Sequence, residues 1–178
     1  MLRLKVDFWN SSMEIESRII DNKTSRARDL AIVFDTGAYM TTIHDKTLIR
    51  AGYKISNDRD AMLSVVGRGN VPVKEVLLQG FELVDISGNV LSLGPIMVYA
   101  TDMSNMETSA VLGLNVIREF VSKIKFGKNT IIELEPTFDI NKPVVFEDFI
   151  RTESRFGLWT QDQIVDSEIA GYDARQTD

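Results

Sequence analysis

Four apolar residues, Ala31-Ile32-Val33-Phe34, run without interruption into Asp35-Thr36-Gly37-Ala38. An unbroken apolar run of this kind reads as a strand buried on both faces. Burying a carboxylate at the end of such a strand is unfavourable unless something there uses it. Gly37 lets the backbone turn tightly and brings its N–H close to the acid. Asp35 is therefore expected as a carboxylate held rigidly at the bottom of a cleft. Asp-Thr-Gly by itself fits an ordinary strand-to-turn exit equally well, because Asp and Gly are common there.

The rest of the chain decides between the two. Leu2, Leu4, Val6 and Phe8 alternate with Arg3, Lys5 and Asp7, which predicts a half-buried strand over residues 2–8. Residues 13–20 alternate less cleanly and predict a second strand, followed by a turn at Asp21-Asn22-Lys23-Thr24-Ser25. Tyr39-Met40-Thr41-Thr42-Ile43 is rich in β-formers. Asp45 as N-cap and Gly52 as stop predict a short helix between them. His44 is the only histidine. It is expected as a solvated residue beside the helix start, and neither a metal site nor a cofactor is expected.

Residues 61–66 and 71–78 read as strands joined by a glycine-bearing tip, Gly67-Arg68-Gly69-Asn70. The tip is not a phosphate loop, since Pro72 occupies the next required glycine position and no helix follows. Three more strands are predicted at residues 81–86, 90–93 and 96–99, and a polar loop carrying Met103 and Met106 at 101–109. The strand end Ala110-Val111-Leu112 then meets Gly113. Asn115 is expected to cap a short helix with Val116, Ile117 and Phe120 on its inner face. Residues 124–126 and 130–134 flank Gly127-Lys128-Asn129 as a hairpin.

Composition narrows the function. The chain has 178 residues, enough for one domain with an appendage, and 44% of them are apolar. A net charge of -6 argues against a nucleic-acid surface, which needs clustered cations. Without cysteine there is no disulfide, thiol nucleophile or thiolate metal site. No stretch has the length of a membrane span or the apolar core of a signal peptide, so a soluble, cytoplasmic protein is expected.

With these features in order, the sequence resembles the retropepsin-like aspartic proteases, the single-domain relatives of pepsin. The resemblance rests on Asp35-Thr36-Gly37-Ala38 after an apolar strand, on the hairpin over residues 64–71, and on Val111-Leu112-Gly113 opening a short helix. It covers roughly residues 13–135. It implies an all-β fold, a closed barrel of the acid-protease type with one or two short helices, over residues 1–138. Residues 139–178 are expected to form a C-terminal extension, partly helical or irregular. Phe146, Phe149 and Ile150 there have helix-face spacing.

The resemblance also implies an activity, hydrolysis of peptide bonds by two aspartates. Asp35 would be catalytic, and Thr36, Gly37 and Ala38 would support its loop. Val66, Gly67, Arg68 and Gly69 would form a flap over an extended peptide, and Val111, Leu112 and Gly113 a structural motif beside the site. Two carboxylates must share one proton in this chemistry, yet only one Asp-Thr-Gly is present. A homodimer is therefore expected, with Asp35 supplied twice across a twofold interface. The same dimer could instead be a binding or regulatory domain with little turnover. Tyr39 departs from the small or acidic residue that such proteins often carry after the motif's alanine.

Overall fold

The computed structural model describes residues 1–9, 11–55, 61–65 and 69–138. The expected 139–178 extension lies outside them. The described chain is mostly β with two short helices. In chain order the elements are β1 (Leu2–Lys5), β2 (Asp7–Trp9), β3 (Ser12–Ile20), β4 (Ala27–Phe34), β5 (Thr42–His44) and α1 (Asp45–Arg50). There follow β6 (Ala61–Val65), β7 (Gly69–Leu78), β8 (Phe81–Val84), β9 (Val90–Leu93) and β10 (Ile96–Thr101). The last are β11 (Ala110–Leu112), α2 (Leu114–Ile117), β12 (Phe120–Lys125) and β13 (Ile131–Pro136).

The strands form two sheets. One is small and antiparallel, in the order β1-β13-β12. The other runs β6-β7-β10-β5-β11-β4-β3-β8-β9, with β2 attached to β3. Among the described residues this path has two ends, at β6 and β9, so the pairing by itself does not close into the ring expected from the sequence.

Alternation explains the first strands. In β1, Leu2 and Leu4 are buried between exposed Arg3 and Lys5. The alternation continues through Val6, which is why residues 2–8 read as one strand. The chain in fact changes sheets there: the Val6 amide donates to the Thr130 carbonyl at 3.2 Å, and β2 goes to β3. The apolar run of β4 is buried on both faces only from Ile32 to Phe34, while Ala31 is exposed.

Three expectations about helices are corrected. The N-cap of α1 is His44, whose side chain accepts from the Lys46 amide, although Asp45 accepts from the same amide. Gly52 ends the helix as expected. In α2 the N-cap position is Gly113, and Asn115 lies inside the helix with no capping role. Phe120 does not extend its inner face. The helix ends at Ile117, and Phe120 begins β12.

What positions the site is the centre of the large sheet. β4 and β5 are joined by residues 35–41, yet they do not pair. β11 lies between them, parallel to β4 (Val111 opposite Val33, Leu112 opposite Phe34) and antiparallel to β5 (Val111 opposite Thr42). The loop that carries Asp35 therefore arches over the end of a strand arriving from much later in the chain.

Candidate active site

Asp35 follows the last residue of β4. Its amide donates to the Leu112 carbonyl at 3.1 Å, which fixes the backbone to β11. One carboxylate oxygen accepts the Gly37 amide at 2.8 Å. Among the described residues that is the side chain's one hydrogen bond. Asp35 is half-buried, Thr36 and Gly37 are exposed, and Ala38 is half-buried. The expected tight turn at Gly37 is therefore present, with its N–H on the acid.

Gly113 holds the other side of the loop. A Cβ there would lie 2.4 Å from the Met40 carbonyl carbon and 2.7 Å from the Thr41 nitrogen. Those are backbone atoms that cannot move aside, so the close crossing of α2's start over the loop demands glycine. From that crossing the Leu114 amide reaches the Ala38 carbonyl (2.8 Å) and the Asn115 amide the Tyr39 carbonyl (3.1 Å).

The tie that sequence reasoning missed is Asn115 with Thr41. Both are buried. The Asn115 Oδ1 accepts from the Thr41 amide at 2.7 Å and from its hydroxyl at 2.8 Å, and Nδ2 donates to the Met97 carbonyl at 3.0 Å. The Thr41 Oγ1 in turn accepts the Gly113 amide at 3.1 Å. A fully satisfied buried network of this kind fixes geometry, because breaking any one bond strands a buried polar group. Its only signal in the sequence is an asparagine two residues beyond a glycine in an apolar run. Packing adds to it: Met40 sits in a buried cluster with Val73 of β7 and Tyr99 of β10.

The carboxylate opens into a cavity of about 320 Å³. Ala38, Met40, Leu63, Val71, Met103 and Val111 make much of its wall apolar, and Asp102 adds a carboxylate. Of the predicted residues, Asp35, Gly37, Ala38 and Val111 line it. Leu112 and Gly113 act from behind through the backbone bonds above. Val66, Gly67 and Arg68 of the expected flap lie outside the described residues. Gly69 opens β7 with a φ of +72°, and β6 and β7 pair as the predicted hairpin, Val65 opposite Gly69.

His44 is not the solvated residue expected. Its side chain is only 14% exposed, with Nδ1 2.6 Å from an Asp45 oxygen and Nε2 3.9 Å from an Asp102 oxygen. These three side chains could in principle surround a cation. However, the two ring nitrogens face different carboxylates, and the Lys46 ammonium lies 3.3 Å from the Ser104 hydroxyl beside them. A positive charge is already in place, and the group reads as a polar string joining α1 to residues 102–104. The Ser104 hydroxyl and amide hydrogen-bond Asp102 and hold its carboxyl below the ordinary range.

The site is thus the Asp35 carboxylate on a tightly anchored loop, facing a largely apolar cavity whose wall also carries Asp102, in a mostly β frame. No protein-family model matches the chain, and comparison with curated proteins finds no match. Among solved structures the chain is similar to a retropepsin-like aspartic protease from Rickettsia conorii, at 13% identity and a TM-score of 0.49, over 74% of this chain and 87% of that one. It is also similar to the retroviral protease-like domain of Ddi1 from Leishmania major, at 13% identity and a TM-score of 0.40, over 72% of this chain and 97% of that one. A third is conglutin gamma, a basic 7S globulin from lupine seeds, at 12% identity and a TM-score of 0.43, over 80% of this chain and half of that one.

Proposed function

We propose that the chain is a homodimeric aspartic endopeptidase built on a barrel of the acid-protease type. The observation that supports this best is the Asp35 carboxylate, held by a single amide at 2.8 Å and open to the apolar cavity. A carboxylate placed so has oxygens left for water and substrate. In the dimer, Asp35 of each copy would face the other and the pair would share one proton, since like charges so close do not both ionise. The ionised member takes a proton from water, and the resulting hydroxide attacks the peptide carbonyl. The protonated member gives its proton to the carbonyl oxygen. Collapse of the tetrahedral diol breaks the C–N bond as the leaving nitrogen takes the proton that the first carboxyl drew from water and a diol hydroxyl gives its proton to the second, which restores the shared-proton pair. The exposed Thr36 hydroxyl would bond across the twofold axis, and an extended peptide would lie against strand edges at the cavity.

Asp35→Asn tests this reading. The amide keeps the volume but cannot share the proton, so the variant is expected to dimerise as wild type and to cleave a casein-type substrate at background rate. Wild-type cleavage by the variant would sink the assignment. Specific activity should also fall on dilution as dimer is lost.

A further inference from the structure

The cavity at Asp35 holds a second carboxylate that the proposed chemistry does not use. Asp102 follows the last residue of β10 and lines the same space of about 320 Å³. Among the described residues, Asp35 and Asp102 are the two charged side chains in its wall. Met40, Leu63, Val71, Met103 and Met106 make much of the rest apolar. Thr42 and Thr101 line it too, but their hydroxyls already donate, to the Met40 carbonyl at 3.2 Å and the Pro72 carbonyl at 2.9 Å.

Asp102 is held by its own loop. The Ser104 amide donates to its Oδ1 at 2.9 Å. The Ser104 hydroxyl, and then that amide, keep the carboxyl below its ordinary range. Two cationic side chains reach this loop: His44, with Nε2 3.9 Å from Oδ1, and Lys46, with its ammonium 3.3 Å from the Ser104 hydroxyl. Neither lines the cavity, and His44 also faces Asp45 at 2.6 Å. A carboxylate has about four acceptor sites, and the bonds from Ser104 leave some of them open. The Asp102 side chain is 68% exposed.

An occupant of the cavity has to suit both parts of the wall. A purely apolar side chain suits the methionines but takes water from the carboxylate and gives nothing in return. An acidic one meets a like charge. A lysine or arginine lays its methylene stem along apolar surface and carries its cation to the end. The chain's net charge of -6 favours approach of a basic peptide. We propose that Asp102 makes this cavity select a lysine or arginine side chain at or next to the bond that is cut. The assignment rests on the protease reading above, which gives the cavity to a substrate side chain.

The test starts from casein digested by the full chain, with the cut sites mapped by mass spectrometry. Peptides copied from one casein segment then carry lysine, leucine or glutamate at a single position of the cavity-filling residue. The lysine peptide is expected to exceed the leucine peptide in kcat/KM by about five- to tenfold, the size of one partly exposed charged contact. Asp102→Asn should bring the two level, and Asp102→Lys should favour glutamate. Each readout is a ratio between two peptides on one protein sample, so a fraction of unfolded variant cancels. Cuts with no excess of lysine or arginine around them overturn the proposal and leave the protease standing. A lysine preference that survives Asp102→Asn overturns it as well, and gives the cation to Asp35. Should wild type cut nothing, the protease reading falls, and the same peptides are titrated by fluorescence polarisation. Equal affinity for the lysine and leucine peptides then overturns the cation site too, whereas a lysine preference lost in Asp102→Asn upholds it.

Discussion

Asp21 and Asp35 begin alike and end differently. Each directly follows a strand, β3 or β4, and each accepts the amide two residues on at 2.8 Å, from Lys23 or from Gly37. Asp21 then also accepts the Thr24 amide at 2.8 Å and the Arg28 guanidinium, and is 2% exposed. The Thr24 amide above all, with the Lys23 amide and the Arg28 guanidinium, holds its carboxyl at about 2 in spite of burial. Asp35 stops at one amide and faces the cavity. A carboxylate has about four acceptor sites. Where the chain fills them, the acid is scaffolding; where it leaves them open, the acid can handle water and substrate. Arg28 is what converts the first kind of turn into a closed anchor, and no cation stands in that place at Asp35 among the described residues.

Exchanging the two acids for amides should break this pair in opposite ways. Asp35→Asn is expected to lower kcat by about 10²–10⁴-fold or more at an unchanged melting temperature. Asp21→Asn should lower the melting temperature and leave kcat per folded dimer as it was. Thermal melts and turnover measured on both variants check this, and a shared drop in melting temperature would mean that Asp35 is scaffolding too.

Gly113→Ala should come next in size. Its methyl group would press on the Met40 and Thr41 backbone, at about 1–3 kcal/mol of stability, and turnover should fall with it because the Asp35 loop is what moves. Loss of stability with full turnover would separate the crossing from the site. Thr41→Val removes the hydroxyl between Asn115 and Gly113 and leaves the buried Gly113 amide without its acceptor. About 1–3 kcal/mol is expected from denaturant unfolding. A neutral result would show the network to be dispensable.

The smallest effect is in pH. Asp21 has a folded value of about 2, below the ordinary 3.8. Its contribution is therefore complete above about pH 4 and is lost as pH falls through about 2. The difference in stability between wild type and Asp21→Asn should be flat above that window and vanish at its foot. Melts across this range check it. A difference that persists at the lowest pH would assign the anchor to neutral hydrogen bonds.

Much of this was legible in the residues. The Asp35 turn, the hairpins and the Val111-Leu112-Gly113 motif are local patterns, and local patterns survive folding. What misled were patterns whose meaning is set from a distance. Asn115 looks like a cap because it stands two residues beyond a glycine, but its partner Thr41 is 74 positions away. Phe120 lies three beyond Ile117, a helix spacing, yet the chain turns at Arg118-Glu119 and Phe120 pairs with Pro136 in the small sheet. Residues 2–8 alternate without a break, yet Val6 is a junction between two sheets. Alternation reports which face a side chain takes, not which sheet the strand joins.

The order of strands across the sheet has a consequence for birth of the protein on the ribosome. β11 lies between β4 and β5, so the Asp35 loop has no wedge beneath it until residues 110–115 have been made. Contacts of such long range close late. A nascent chain that has emerged as far as β10 has both flanks of the site without its keystone. Stalled chains ending before Ala110 are therefore expected to be cut readily by added protease within residues 35–41, and chains ending after Asn115 to resist. Equal resistance in both would show that the loop sets without β11. The late entry of one three-residue strand would keep the Asp35 site from assembling while its own chain is still unfolded.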